Sequence, residues 1–211
     1  MSISPLYAAS HIFKSSVAKP TADLAHKVQL YLDYDCPFSK KLFNKFTEEV
    51  IPALDSKYPG KFEFIFMNVP QPWHPTSTLM HEVAVAVAKL QPQSFWKFSN
   101  ILFQNQDHFF DTETYNKTRL EIYKDLINLA QSNLDIDGKD IEKLVEIKPA
   151  KNGQPSNSGN LIAPDFKYFV RYHRTIGVLV TPTVFVDGIS NPSIESSTPV
   201  EKVVELFEKI L

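Results

Sequence analysis

Hydrophobic and polar positions along the chain follow two periods, which predict a mixture of strands and helices. Val28 to Tyr34 is a run of branched and aromatic residues between polar neighbours, which is typical of a buried strand. After it, apolar side chains recur every three or four residues between Leu42 and Leu54, so a helix up to about Tyr58 should bury one face. Pro52 lies inside this helix and should kink it. The sequence therefore predicts a strand that leads directly into a helix.

Two further strands are predicted, one on each side of a long helical region. The segment KFEFIFMNV follows the turn signal Pro59-Gly60 and forms the second strand, so a right-handed parallel crossover is expected. From Pro75 to about Gly177 the pattern is helical in five segments: STLMHEVAVAVAKL, QSFWKFSNILFQNQ, YNKTRLEIYKDLINLAQ, KDIEKLVEI and PDFKYFVRYHRTIG. The segment VTPTVFVDG then forms a third strand with a turn at Asp187-Gly188. A short edge segment around Ile189 to Ile194 and a closing helix, TPVEKVVELFEKIL, complete the prediction.

The order of these elements predicts an α/β domain that is interrupted by helices. We assign residues 1–27 to an N-terminal segment, residues 28–74 and 178–211 to the sheet domain, and residues 75–177 to an inserted helical domain. Within the insertion, residues 148–161 are rich in Gly, Pro, Ser and Asn, which is typical of an exposed loop. The sequence indicates no role for this loop.

Charge and composition argue against several classes of partner. The 211 residues carry 22 Lys and Arg against 24 Asp and Glu, without a basic block that would follow a phosphate backbone, so we expect no nucleic-acid partner. The first twenty residues contain no continuous apolar stretch, which argues against secretion and membrane insertion. A single cysteine forms no internal disulfide and fits a reducing compartment, so a cytoplasmic location is expected. The sequence leaves the oligomeric state open.

That cysteine, Cys36, lies in the motif Asp-Cys-Pro-Phe-Ser, where the first strand leads into the helix. Unpaired N–H groups and the positive end of the helix dipole stabilise a thiolate there, so we expect Cys36 to be solvent-accessible and reactive. Lys40 and Lys41 add to this effect, whereas Asp35 opposes it if its carboxylate points the same way. Ser39, one turn on, can donate its hydroxyl to the sulfur. The alternative for a single cysteine is a small, inert, buried side chain.

Other side chains offer weaker candidates for chemistry. The histidines show no spacing typical of a metal site, so we predict no metal and no bound cofactor. A Cys–His pair for hydrolysis stays open because the partner of a nucleophile can be distant in sequence, although no acyl-transfer signature surrounds Cys36. The chain has six glycines and no Gly-rich phosphate loop.

Several segments resemble one known family. The segment DYDCPFSKKLF after a strand, together with GVLVTPTVFVDG near the C-terminus, resembles the thioredoxin fold. The segments VPQPWHPTSTLMHEVAVAVAKL and FWKFSNILFQNQ are similar to DsbA-like proteins, and the resemblance covers roughly residues 26 to 190. It implies a thioredoxin fold with an inserted helical domain and a cis Thr181-Pro182 bond that lies against the thiol. Our catalytic candidates are therefore Cys36 and Ser39, and our substrate-binding candidates are Pro37, Phe38, Val180, Thr181 and Pro182.

One departure from the DsbA-like pattern limits the chemistry. DsbA-like oxidases carry cysteine at the position of Ser39, and without it the internal disulfide that stores oxidising power is impossible. Kappa-class glutathione transferases and hydroxychromene carboxylate isomerases share the fold but place serine where the first cysteine stands, so the CPFS motif matches neither group. Monothiol chemistry remains, in which Cys36 attacks a disulfide and a second thiol, with glutathione as the expected co-substrate, releases the product.

Three functions stay open on the sequence. The first is a monothiol thiol oxidoreductase or glutathione-linked transferase that acts through Cys36 beside a cis Pro182 on a small or protein thiol or disulfide. The second is a non-catalytic peptide- or protein-binding thioredoxin-like module, in which the groove beside Pro182 captures extended peptides. The third uses the fold only as a scaffold. The reactivity of the thiol separates an enzyme from the other two.

Overall fold

The computed structural model describes residues 3–14 and 25–211, and its centre is a mixed four-stranded sheet. The strands are β1 (His26–Leu32), β2 (Phe62–Asn68), β3 (Thr183–Val186) and β4 (Ile189–Ser190), in the spatial order β2-β1-β3-β4. β1 pairs with β2 in parallel, and the other two pairings are antiparallel. Val28 lies opposite Phe64 on one side and Val186 on the other, so branched and aromatic side chains meet across the sheet.

Helices surround this sheet and fill the connection between β2 and β3. Those in the described residues are α1 (Pro5–His11), α2 (Pro37–Lys45), α3 (Ile51–Lys57), α4 (Ser77–Leu90), α5 (Phe95–Gln104), α6 (Asp111–Thr114), α7 (Arg119–Asn133), α8 (Gly138–Val145), α9 (Ala163–Thr175) and α10 (Val200–Glu208). The six helices α4 to α9 follow β2 and precede β3. The predicted fold class, a thioredoxin fold with an inserted helical domain, is confirmed.

The domain limits that we assigned stay a prediction. Of the N-terminal segment 1–27, residues 1–2 and 15–24 lie outside the described part of the chain. The described part of this segment packs onto the body, because α1 contacts α4, α5 and β2 and Phe13 N–H donates to the Phe64 carbonyl at 2.8 Å. In residues 148–161, a short 3₁₀ turn at Lys151–Gly153 is the regular element. None of the described helices is long and apolar enough to cross a bilayer.

The end of β1 differs from the prediction. The strand spans His26–Leu32 instead of Val28 to Tyr34, and the chain turns at Asp33. The Asp33 carboxylate accepts the Asp35 N–H at 3.1 Å, and the Asp33 carbonyl accepts the Cys36 N–H at 3.1 Å. These two bonds replace ladder pairing and end the strand. The turn places Cys36 immediately before α2.

The helix after Cys36 is continuous but irregular. A π-helical turn, Phe46–Val50, joins α2 to α3 and ends two residues before Pro52. A proline has no N–H for the carbonyl four residues earlier and its ring crowds that carbonyl, so a wider turn relieves the conflict. The irregularity that we expected at Pro52 therefore takes the form of this turn.

The hairpin at the C-terminal side of the sheet follows the prediction. Asp187 and Gly188 connect β3 to β4, and both have positive φ, 50° and 83°. Two consecutive positive φ angles are the requirement of a type I′ turn, which an Asp-Gly pair meets at little cost. The Asp187 carboxylate also accepts the Lys27 N–H at 2.8 Å, so the turn is fastened to the start of β1.

Candidate active site around Cys36

Cys36 is the N-cap residue of α2, with Pro37 as the first residue of the helix. The Lys40 N–H donates to the Cys36 carbonyl at 3.1 Å, so the first turn of the helix begins at the cysteine itself. The predicted position of Cys36, between the first strand and the start of a helix, is confirmed. The predicted accessibility is wrong, because Cys36 is only 4% exposed.

The segment that covers the thiol is the one before β3. Cys36 Sγ donates to the carbonyl oxygen of Thr181 at 3.6 Å, within the range for a sulfur hydrogen bond. The Thr181–Pro182 peptide bond is cis. The fold therefore brings together the CPFS and TPT motifs, whose residues Cys36 and Thr181 are 145 positions apart along the chain.

Apolar side chains are exposed at residues that adjoin Cys36 and Thr181 in the chain. Phe38, Leu179 and Val180 are 64%, 75% and 60% exposed. Phe38 is the second residue of α2, and Val180 directly precedes Thr181. Exposed apolar side chains that cluster along the chain beside a candidate site are typical of interaction surfaces.

The hydrogen bond of Ser39 differs from the predicted one. Ser39 is fully buried, and its Oγ accepts the backbone N–H of Asp33 at 3.2 Å. The sulfur of Cys36 donates to Thr181 instead. In the described part of the chain no hydrogen bond joins Ser39 to the sulfur, so the predicted bond is not found; the turn after β1 brings a backbone donor to the hydroxyl. Ser39 holds this turn in place.

A buried carboxylate lies at the centre of the site. Asp33 has no exposed surface, and its two oxygens accept hydrogen bonds from four donors: Ser77 Oγ at 2.5 Å, His74 Nδ1 at 2.6 Å, the Asp35 N–H at 3.1 Å and the Gln71 N–H at 3.2 Å. His81 Nε2 lies 3.4 Å from Oδ1, close enough for an ion pair but without a hydrogen bond. Burial acts to raise the pKa of Asp33, but the bonds from these side chains outweigh it and hold the pKa well below the usual range. We call Asp33, Gln71, His74, Ser77 and His81 the Asp33 cluster.

The histidines of the cluster are in different states. The bond to Asp33 raises the pKa of His74, which favours its charged form. His81 is fully buried, and burial lowers its pKa despite the nearby carboxylate. Asn68 Nδ2 donates to His81 Nδ1 at 2.8 Å, which leaves the proton of a neutral ring on Nε2, facing Asp33. Asn68 Oδ1 in turn accepts from His11 Nε2 at 2.9 Å, and burial lowers the pKa of His11 to about 3.

Gln71 connects the Asp33 cluster to the segment that covers the thiol. Its backbone N–H donates to Asp33, and its side-chain Nε2 donates to the Leu179 carbonyl at 3.3 Å and to Thr181 Oγ1 at 3.4 Å. Thr181 is the residue whose carbonyl accepts from Cys36. The buried carboxylate and the thiol are therefore linked through two residues, Gln71 and Thr181.

A second buried carboxyl, Asp35, directly precedes the cysteine. It is 3% exposed, Thr76 Oγ1 lies 2.7 Å from its Oδ2, and its Oδ1 has no hydrogen-bond partner among the described residues. Burial raises the pKa of Asp35 to about 6, although the bond to Thr76 acts in the other direction. Asp35 also lines an open cleft beside α2, together with Pro37, His74, Phe110, Asp111 and Thr112.

The sequence analysis missed the Asp33 cluster, although a signal for it exists. Asp33 follows β1, and Gln71, His74 and Ser77 follow β2 within ten residues. Because β1 and β2 are parallel, their carboxyl ends meet at one edge of the sheet, where polar groups converge. In the described ranges, no group of three or more His, Cys, Asp and Glu side chains has the arrangement of a metal site. The cluster therefore has an anion at its centre that is held by hydrogen bonds.

Comparisons with known proteins agree with this architecture. BdbD from Bacillus subtilis, in its oxidised form, has a TM-score of 0.60 at 22% identity, covering 95% of this chain and 92% of that one. The thiol-disulfide exchange protein alpha-DsbA2 from Wolbachia pipientis has a TM-score of 0.61 at 16% identity, covering 96% of this chain and 87% of that one. The MdbA protein from Corynebacterium matruchotii, a thiol-disulfide oxidoreductase, has a TM-score of 0.59 at 19% identity, covering 92% of this chain and 87% of that one.

At such identities the solved structures show the fold alone. No curated protein matches this chain. A family model described as Thioredoxin (Thioredoxin_4) matches residues 20–157, which is more than half of the 211 residues and includes Cys36 and the Asp33 cluster. The chain therefore belongs to this thioredoxin family.

Proposed function

We propose that this protein is a monothiol oxidoreductase that forms mixed disulfides through Cys36. The observation that carries the proposal is the position of the sulfur, at the N-terminus of α2 and 3.6 Å from the Thr181 carbonyl beside the cis proline. A helix N-terminus stabilises the thiolate that must form before attack. The structural neighbours described as a thiol-disulfide oxidoreductase and as a thiol-disulfide exchange protein support the same reaction class. We propose the cytoplasm as its location.

The proposed cycle needs one protein sulfur and one external thiol. The Cys36 thiolate attacks one sulfur of a disulfide, an Sγ–S bond forms, and the second sulfur leaves as a thiolate with the electron pair of the broken bond. An external thiolate, with glutathione as the expected co-substrate, then attacks the mixed disulfide and releases Cys36 as a thiolate. No second cysteine exists in the 211 residues to perform this step. The mixed disulfide should therefore accumulate when external thiol is withheld.

The 4% exposure of Cys36 sets a condition on this cycle. The segment from Leu179 to Pro182 must move away from the sulfur before a disulfide can approach it. This movement breaks the Cys36–Thr181 bond and the two side-chain bonds of Gln71, which join Leu179 and Thr181 to the body. The two Gln71 contacts are long, at 3.3 Å and 3.4 Å, and a thiol is a weak donor, so opening is expected to cost little.

The test is to incubate the protein with oxidised glutathione and measure its mass, with Cys36→Ser as the control variant. We expect a single glutathione adduct on the wild type, none on the variant, and full release of the adduct by reduced glutathione. An unmodified wild type after prolonged incubation would refute the proposal. Equal turnover of glutathione-linked substrates by the serine variant would instead assign the activity to a transferase of the kappa-class type.

A second candidate function is a peptide-binding module, and the observation that favours it is the exposure of Phe38, Leu179 and Val180 around a buried thiol. In that case an extended peptide would bind along the segment before β3 without any reaction of the sulfur. Binding of peptides that carry no cysteine, with the same affinity for wild type and Cys36→Ser, would support this function. Binding that requires a cysteine in the peptide would support the oxidoreductase.

A further inference from the structure

The cleft beside α2 has an acidic lining. It has a volume of about 310 Å³ and is lined by Asp35, Pro37, His74, Phe110, Asp111 and Thr112. His74 is paired with the buried Asp33, so that this pair has no net charge when His74 is protonated. Asp35 and Asp111 then leave the lining with a net negative charge. The cleft is of a size that accepts a small molecule or one side chain.

Asp35, which lines the cleft, carries an unused acceptor. Its Oδ1 is buried without a partner, and its Oδ2 depends on the hydroxyl of Thr76. That hydroxyl has a single hydrogen, and the Phe109 carbonyl competes for it at 2.6 Å. A buried carboxylate with so few donors is costly, and a donor from outside would relieve the cost. In the free protein one carboxylate oxygen of Asp35 therefore lacks a hydrogen-bond donor, whereas both oxygens of Asp33 have donors.

We propose that Asp35 and Asp111 form a subsite for the ammonium group of a small aminothiol disulfide that reacts with Cys36. This inference rests on the proposed monothiol function and specifies its substrate class. An ammonium has three donors, so it can bond to Asp35 Oδ1 and remain within reach of a second carboxylate. Phe110 also lines the cleft, and an aromatic ring there can attract the same cation.

Asp35 directly precedes the reacting residue in the chain. Asp35 and Cys36 are consecutive residues, so their Cα atoms are about 3.8 Å apart. Once the segment from Leu179 to Pro182 has moved off the sulfur, a short disulfide can place an ammonium at Asp35 while one of its sulfurs meets Cys36. A two-carbon aminothiol is a small member of this class and serves as the probe.

Three symmetric disulfides of similar size test the subsite: cystamine, which is cationic, 2-hydroxyethyl disulfide, which is neutral, and dithiodiglycolate, which is anionic. The rate of mixed-disulfide formation on Cys36 is measured by mass spectrometry for each. Every rate is divided by the rate of the same disulfide with free 1-thioglycerol, a neutral thiol that is not a half of any of the three, because the three differ in intrinsic reactivity. We expect a corrected preference of about tenfold for cystamine over the neutral disulfide, as for one charge-assisted hydrogen bond.

Two variants and one control locate the preference. Asp35→Asn should abolish most of the preference for cystamine over the neutral disulfide. Asp111→Asn changes a residue with exposed surface and should reduce this preference without disturbing the core. Asp107→Asn makes the same change of charge at an exposed residue that does not line the cleft, so its preference should equal that of the wild type. Equal corrected rates for the three disulfides would overturn the subsite and leave the monothiol function intact. Failure of all three to modify Cys36 would overturn the function itself.

Discussion

Asp33 and Asp35 stand on either side of Tyr34, both are buried, and their surroundings are opposite. Four hydrogen-bond donors from the Asp33 cluster and the turn surround the carboxylate of Asp33, and His81 Nε2 lies 3.4 Å from it. Asp35 has one hydroxyl, which it shares with a carbonyl, and one oxygen without a partner. The pKa of Asp33 is accordingly held far below its usual range, whereas burial raises the pKa of Asp35 to about 6.

The comparison teaches that the number of donors, and not burial, decides the charge of a carboxyl in this site. Asp33 has no exposed surface and is still the stronger acid. We infer that its role is structural, since a saturated anion has no capacity left for a substrate. Asp35 retains both an acceptor and a titration near neutral pH, which are the properties of a group that meets a ligand. The predictions below change one side of this pair at a time.

The largest effect is expected for Asp33→Asn. The amide keeps the volume but loses the charge and turns a donor toward the donors of the cluster, so the free energy of unfolding should fall by about 3 kcal/mol at pH 7. Urea unfolding measures this, with Asp107→Asn as an exposed control that should stay within about 0.5 kcal/mol of wild type. A loss as small as that of the control would mean that the cluster does not stabilise the fold.

The pH dependence of this loss has a definite sign. The pKa of Asp33 is lower in the folded than in the unfolded state, so its stabilisation is present above the unfolded pKa of about 4 and is lost as the pH falls through the folded value. The difference in the free energy of unfolding between wild type and Asp33→Asn should therefore become smaller below about pH 4. If this difference in the free energy of unfolding is unchanged at pH 3, the loss of stability in Asp33→Asn comes from packing and not from the lost charge.

Asp35→Asn should have the opposite effect. The pKa of Asp35 is raised to about 6 in the folded state, so the folded protein binds this proton more tightly than the unfolded chain. Wild-type stability then falls as the pH rises from about 4 to about 6, because unfolding releases the proton across this range. The amide does not ionise, and we expect it to stabilise the protein by about 2 kcal/mol at pH 8 but not at pH 3. Destabilisation at pH 8 would show that the Asp35 carboxylate has partners beyond Thr76.

The sequence predicted the elements that carry these groups better than the groups themselves. The run of branched and aromatic residues before Cys36 and the helical period of STLMHEVAVAVAKL indicated β1 and α4, because burial dictates the type of residue along a whole element. The contact between Cys36 and Thr181 was expected from the resemblance to a family and not from spacing. The Asp33 cluster could not be read from periodicity, since it depends on where two strands end and on which loop side chains turn inward.

Gln71→Ala should loosen the connection between the two motifs. The variant keeps the backbone N–H that bonds to Asp33 but loses the side-chain bonds to Leu179 and Thr181. We expect a loss of stability of about 1 kcal/mol and a several-fold faster alkylation of Cys36 by iodoacetamide, because the covering segment opens more often. Gln104→Ala, at an exposed residue, is the matched control and should alter neither quantity. An unchanged alkylation rate in Gln71→Ala would show that other contacts hold the segment over the sulfur.

Ser39→Cys makes the smallest change and tests the turn that Asp33 begins. The hydroxyl accepts the Asp33 N–H, so its replacement by a thiol, a weaker acceptor, should cost about 1 kcal/mol in the reduced protein. The new thiol lies one helical turn from Cys36, and side chains at this spacing are neighbours, so an internal disulfide should form under mild oxidation. Loss of both free thiols, without a dimer on a non-reducing gel, shows that the internal disulfide has formed.

Lys41→Cys is the control for this disulfide, because residue 41 is exposed and five positions from Cys36. This variant should keep both thiols free. If Ser39→Cys also keeps both thiols, the turn after β1 directs the new side chain toward Asp33 and away from the sulfur.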